Sequence, residues 1–212
     1  MCVARALTQL WSQKKEADEA KKQRPKTSPA QLRVQKGTPG ASHADLTELE
    51  LPSTMQTHFP DPADLMHFTV TITPDEGTSA AHAGLYKGGA FRFTVAINHN
   101  YPHDPPKVRC VQKVRRGLTQ IYHPNLDLDG NVCLNILREE WNPILNLNSV
   151  LVGLQFLFLD PNPDDPLNKE AAEDLRRDRS AFAGRVKRAL AGGTLRTSTA
   201  HAEGVTYDYV LV

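Results

Sequence analysis

The chain has 212 residues, 40% of them hydrophobic, and a formal net charge of +1. That is enough apolar material for one domain with a real core and excludes wholesale disorder, and so small a charge gives no overall field toward nucleic acid. The cysteines, Cys2, Cys110 and Cys133, are odd in number and show no C-x-x-C spacing, which suits a reducing compartment better than a secreted disulfide scaffold.

The first segment stands apart. Val3, Leu7, Leu10 and Trp11 follow the spacing of one stripe of a helix. Behind them, residues 13–26 (QKKEADEAKKQRPK) are charged and nearly devoid of apolar side chains, as a solvated helix or tether is. Such a stripe either packs on its own domain or docks in a groove on another protein. The charged spacer favours a docking arm, because it holds the stripe away from the core. Nucleic-acid binding by this stretch has little support: three acids interrupt its seven Lys/Arg, and Trp11 is its one aromatic. The opening residues also lack the apolar run and cleavage pattern of a signal peptide.

TSPAQLRVQK reads as a helix start, with Ser28 as cap, Pro29 at the first helical position and Gln31 closing a capping box. GTPG at 37–40 cuts that helix, and DLTE at 45–48 offers a second cap, so a helix is expected to resume to about Glu50. Residues 67–73 and 90–97 alternate apolar and polar, as half-buried antiparallel strands do. Between them lies a turn-rich connection. Residues 106–113 are a third strand, with Pro105 and Pro106 at its entrance.

Residues 150–159 (VLVGLQFLFL) are about half the length of a membrane span and carry Gln155. They read as a buried helix, capped by Asn146 or Asn148 and ended by Asp160-Pro161. Two amphipathic helices follow, the second closing on Gly192-Gly193, and then a polar, weakly patterned tail from Thr194. Helix, strands, then helices make an α+β domain.

Three readings compete for Cys133, in DLDGNVCLN. It is a small buried hydrophobe, a metal ligand, or a nucleophile with partial exposure and some thiolate character. His99, His103 and Cys110 have passable metal spacing, but no fourth ligand is in sight, so no metal is expected. The Gly-containing turn before Cys133 leaves room for a large substrate, and Asn125 is the type of neutral donor that holds an oxyanion. His123 invites a Cys–His pair, but no protease signature surrounds it. Asn125 as a turn cap and Asp165 as the start of the next helix remain open beside these.

HPN at 123–125, a cysteine eight residues after that asparagine, then WNP and DPNPDDPLN, resemble the ubiquitin-conjugating enzymes. The resemblance spans roughly residues 28–193. It implies an N-terminal helix, a four-stranded antiparallel meander, a crossover helix and two C-terminal helices. It implies a catalytic core at 27–193 between a flexible docking arm at 1–26 and a tail at 194–212. By the same resemblance, Cys133 accepts a ubiquitin-like modifier as a thioester, Asn125 supports the oxyanion, and Asp165 flanks the incoming lysine. His123 and Pro124 fix the turn. An activated thioester needs positioning more than a strong base, which agrees with this set.

AQLRVQK, PDEG with YKGG, YPHDPPKV, CLNILREEW and LNKEAAEDL are most similar to the branch that conjugates the Nedd/Rub-type modifier, with ubiquitin itself as the alternative. Asn135 stands where many ubiquitin-specific members carry aspartate. That branch implies as partners an activating enzyme, which spends the ATP and receives the arm, a RING ligase subunit, a co-ligase and cullin substrates. No cofactor bound by this chain, no membrane and no nucleic acid are implied, and the compartments are cytoplasm and nucleus. The chain departs from the branch in its Met-Cys start and in extra residues at about 37–44, 78–85 and 114–120, the last expected to form an exposed basic loop.

Overall fold

The computed structural model describes residues 27–36, 46, 49–75, 84–111, 121–191, 194–195 and 205–206. The arm with Val3, Leu7, Leu10 and Trp11 lies outside them, as do the extra segments at 37–44 and 114–120 and the glycine pair Gly192-Gly193. Of the segment 78–85, Gly84 and Leu85 are described.

Helix α1 spans Pro29–Lys36. Its start is the expected reciprocal box: the Gln31 amide N–H donates to Ser28 Oγ at 3.1 Å, and the Ser28 N–H donates to Gln31 Oε1 at 2.8 Å. Ala30 and Val34, one turn apart, are fully buried. The helix does not resume to Glu50, because Leu49 and Glu50 are irregular. Pro52 follows, and a residue before proline is pushed out of helical geometry. Leu46, Leu49 and Leu51 pack on the core from irregular chain instead.

Four antiparallel strands, β1 (Met55–His58), β2 (His67–Ile72), β3 (Phe91–Ala96) and β4 (Lys107–Cys110), form one sheet in the order β1-β2-β3-β4. The register sets Val70 opposite Phe93 and Phe93 opposite Cys110. Phe68, Val70, Ile72, Phe91, Phe93, Val95, Val108 and Cys110 therefore bury one face. Strand β1, of sequence MQTH, carries almost no apolar alternation, and it is the fourth strand that the resemblance implied.

Helix α2 (Leu147–Leu159) is apolar on most faces and lies over this sheet. Phe158 stacks on Phe91 with ring centroids 4.3 Å apart and meets Tyr86 edge-on at 5.3 Å. Asn146 is the cap, its Oδ1 accepting from the Ser149 N–H at 2.9 Å, so the helix starts three residues before the apolar run. A Cβ at Gly153 would lie 2.9 Å from Ile136 Cδ1 and 3.2 Å from Leu134 Cδ2. Glycine there lets the segment after Cys133 lie against the helix.

Helices α3 (Lys169–Arg177) and α4 (Arg179–Leu190) are capped by Asn168 and Asp178. The start of α3 is thus Asn168, and Asp165 lies outside the helix. The Tyr122 hydroxyl donates to Asp174 of α3, which also pairs with Arg185 of α4 at 2.9 Å. Beyond α4, the tail differs from its unpatterned expectation. The backbone of Thr194–Leu195 pairs antiparallel with Val205–Thr206.

Candidate active site around Cys133

The segment 121–133 runs beneath α2 and folds back on itself through one turn. Asp127 Oδ1 accepts the N–H groups of Asp129 and Asn131 at 2.9 and 2.7 Å, and Gly130 takes φ +82°. The aspartate braces the turn, and the glycine supplies the left-handed residue that a side chain resists. An isolated bridge joins Leu126 to Val132, and the Cys133 N–H donates to the Asn125 carbonyl at 2.8 Å. The eight-residue spacing in sequence is the circumference of this turn.

His123 is fully buried, with its ring beside Tyr86 and Phe158. Its Nε2–H donates to the Leu157 carbonyl at 2.7 Å, while Nδ1 accepts the Asn125 amide N–H at 2.9 Å. Burial pushes its pKa down to about 4, against the raising effect of the Leu157 carbonyl. With both ring nitrogens engaged, it does not pair with Cys133. The Pro124 carbonyl accepts the N–H groups of Leu167 and Asn168, each at 2.9 Å, and so holds the approach to α3.

The Asn125 side chain is buried and faces the loop of residues 162–165. Its Nδ2 donates to the carbonyls of Asn162 at 2.8 Å and Asp165 at 3.1 Å, and its Oδ1 accepts the Asn162 N–H at 3.0 Å. Both amide hydrogens are in use. The Asn125 side chain thus braces the 162–165 loop rather than capping its own turn, and this loop brings Asp165 to the sulfur.

The Cys133 Sγ–H donates to Asp165 Oδ2 at 2.9 Å. The residue is 4% exposed. Burial, and then the hydrogen bond to the Asp165 carboxylate, push the thiol up to about 11, while the Arg138 guanidinium pulls the other way. The expectation of partial exposure and thiolate character is corrected here. In the free chain Cys133 is a nearly covered thiol, with Asp165 of the 162–165 loop bonded to its sulfur.

Arg138 and Asn162 were not among the residues singled out in the sequence. Arg138 ends the 3-10 turn Asn135–Leu137, and its Nη1 lies 4.0 Å from Asp165 Oδ2. The available signal was its place five residues after the cysteine, one short turn away. Trp141, of the WNP motif, donates its indole N–H to the Pro102 carbonyl at 2.9 Å and anchors the far end of this stretch. Among the described residues, no group of three or more His, Cys, Asp or Glu side chains is placed to hold a metal. None of the described helices is long and apolar enough to cross a membrane.

The site is thus a buried thiol with a carboxylate on its proton, held by two loops that share main-chain bonds. A family model described as ubiquitin-conjugating enzyme matches residues 42–190. The chain is 50% identical to a protein of Schizosaccharomyces pombe named NEDD8-conjugating enzyme ubc12, over 97% of this chain and 99% of that one. It is 53% identical to the Nedd8-conjugating enzyme UbcE2M of Drosophila melanogaster, over 87% and 90%. The solved structure titled S. cerevisiae Ubc12 superposes with a TM-score of 0.71 at 38% identity, covering 98% of this chain and 99% of that one. Through the cysteine turn, the four-stranded meander and these matches, the chain belongs to the ubiquitin-conjugating enzyme family.

Proposed function

We propose that the chain accepts the Nedd/Rub-type modifier from its activating enzyme as a thioester on Cys133 and passes it to lysines of target proteins, cullins among them. The observation that carries the reading is the Cys133 thiol bonded to the Asp165 carboxylate at 2.9 Å. The names of its relatives, NEDD8-conjugating enzymes in fission yeast and fly, favour this modifier over ubiquitin.

A thiol near pKa 11 is only about one part in ten thousand thiolate at neutral pH, so it leaves its proton as it attacks. Asp165 is already bonded to that proton. In the second half-reaction the same carboxylate flanks the incoming ammonium and draws its proton. Asn125 supports the tetrahedral oxyanion by lending one amide hydrogen, and the longer bond, to the Asp165 carbonyl at 3.1 Å, is the one that yields. His123 and Pro124 hold the turn. No cofactor is bound, since the activating enzyme spends the ATP. The arm of Val3, Leu7, Leu10 and Trp11 docks on that enzyme, a RING ligase subunit and co-ligase present the target, and the compartments are cytoplasm and nucleus.

The test is incubation with activating enzyme, ATP and modifier. A reductant-sensitive adduct is expected, turning reductant-resistant and slower to form in Cys133→Ser, because an oxyester replaces the thioester. An unchanged thioester in Cys133→Ser, or one lost only in Cys110→Ser, overturns the assignment. Equal charging by the ubiquitin system would shift the reading to ubiquitin.

A further inference from the structure

One oxygen, Asp165 Oδ2, faces two partners. It accepts the Cys133 thiol hydrogen at 2.9 Å and lies 4.0 Å from Arg138 Nη1. The first contact is a hydrogen bond, whereas the second is only the outer limit of an ion pair. The thiol therefore has first claim on the oxygen in the free enzyme. A thioester sulfur carries no hydrogen, so loading removes that claim.

We propose that Arg138 is a positioning residue for Asp165: when Cys133 is loaded, the carboxylate passes from the thiol to the Arg138 guanidinium and is held beside the sulfur for the arriving amine. This rests on the thioester reading of Cys133.

The backbones allow it. The Asp165 carbonyl is tied to Asn125, and Arg138 is fixed by its N–H to the Asn135 carbonyl at 2.9 Å and by the Trp141 N–H on its own carbonyl at 3.2 Å. Closing the ion pair needs only side-chain rotation over about 1 Å, to an ordinary charge-assisted distance. The need is as plain. The Asp165 side chain is 63% exposed, and without a partner it would sample water, whereas transfer requires a fixed seat. A planar guanidinium supplies such a seat better than an ammonium does.

The steps balance without any redox partner. In loading, Sγ bonds to the acyl carbon as the bond to the activating enzyme's sulfur breaks, and the thiol proton ends on the departing thiolate by way of Asp165 or water. In discharge, the lysine nitrogen bonds to the acyl carbon and C–S breaks. The nitrogen sheds two protons: the first, to Asp165 or water, turns the ammonium into the attacking amine, and the second, lost as the amide forms, reprotonates the Cys133 thiolate.

Two readouts test this, on the full chain. The first is single-turnover discharge of the purified thioester to free lysine, for Arg138→Gln, Arg138→Lys, Asp165→Asn and the Gln/Asn double variant. Arg138→Gln should slow discharge roughly tenfold, Arg138→Lys should recover part of the loss, and Arg138→Gln should add nothing in the Asp165→Asn background. The second is the pH profile of iodoacetamide alkylation at Cys133, read by peptide mass. Arg138→Gln should shift it to higher pH and Asp165→Asn to lower pH, opposite signs that general loosening of the fold would not produce. A full Arg138→Gln loss persisting beside Asp165→Asn, or an unmoved alkylation profile, overturns the proposal while the thioester reading stands. A chain that never loads overturns both.

Discussion

Asn125 and Asn162 grip each other through one amide. The Asn125 Oδ1 accepts the Asn162 N–H at 3.0 Å while its Nδ2 donates to the Asn162 carbonyl at 2.8 Å. A side chain committed this way to the loop of Asp165 carries a structural duty beside its proposed role at the oxyanion.

Asn125→Ala should therefore fail twice. Loss of an oxyanion donor costs about a hundred- to a thousandfold in rate, and this should appear in discharge to lysine. Leaving the Asn162 groups unpaired should cost about 1–3 kcal/mol of stability, read by urea unfolding. A discharge defect with an unaltered midpoint would show that the grip contributes nothing.

His123 makes the fold sensitive to acid. Its pKa in the folded chain is about 4, below the ordinary 6.5, so between these values the unfolded chain binds the extra proton. Stability from this group is complete well above pH 6.5 and is lost as pH falls toward 4. Between pH 7 and pH 5 the loss should be about 2 kcal/mol. Urea midpoints at the two values, with an NMR titration of the imidazole, measure it. An imidazole that titrates near 6.5 in the folded chain would remove the effect.

Gly130 sets the cysteine turn at φ +82°. Gly130→Ala should cost about 1–2 kcal/mol in backbone strain and depress charging and discharge together, because Cys133 moves relative to Asn125. Gly130→Asn should cost less, since asparagine tolerates this region. Differential scanning calorimetry and the two single-turnover assays would report it, and equal effects of the two substitutions would contradict the strain account.

Deletion of residues 1–26 should slow charging by the activating enzyme and leave the melting temperature nearly unchanged, since a tethered arm adds little to the core. A large fall in melting temperature would instead make Leu7, Leu10 and Trp11 part of that core.

Much of the fold was legible because period and punctuation are local. Alternation marked β2 and β3, and Ser28 with Gln31 marked α1. Strand β1 escaped because its order comes from pairing with β2, as in Met55 opposite Ile72, and its own MQTH sequence does not announce it. The position of Cys133 was readable from the HPN spacing, but its cover was not. The loop that meets its sulfur lies some thirty residues downstream, a tertiary fact. Arg138 was missed for the same reason. Its neighbour in space, Asp165, lies far along the chain.

The bonds that Pro124 and Asn125 make to the following loop fall on the main chain of that loop: Asn162 N and O, Asp165 O, Leu167 N and Asn168 N. Such a joint is indifferent to lettering. The side chains of Pro163, Asp164, Pro166 and Leu167 can change over a lineage without loosening the thiol's setting, provided the loop keeps its path. The rim beside Cys133 is thus open to redesign toward new acceptors, while Asn125, Asp165 and the path of the loop hold the chemistry constant.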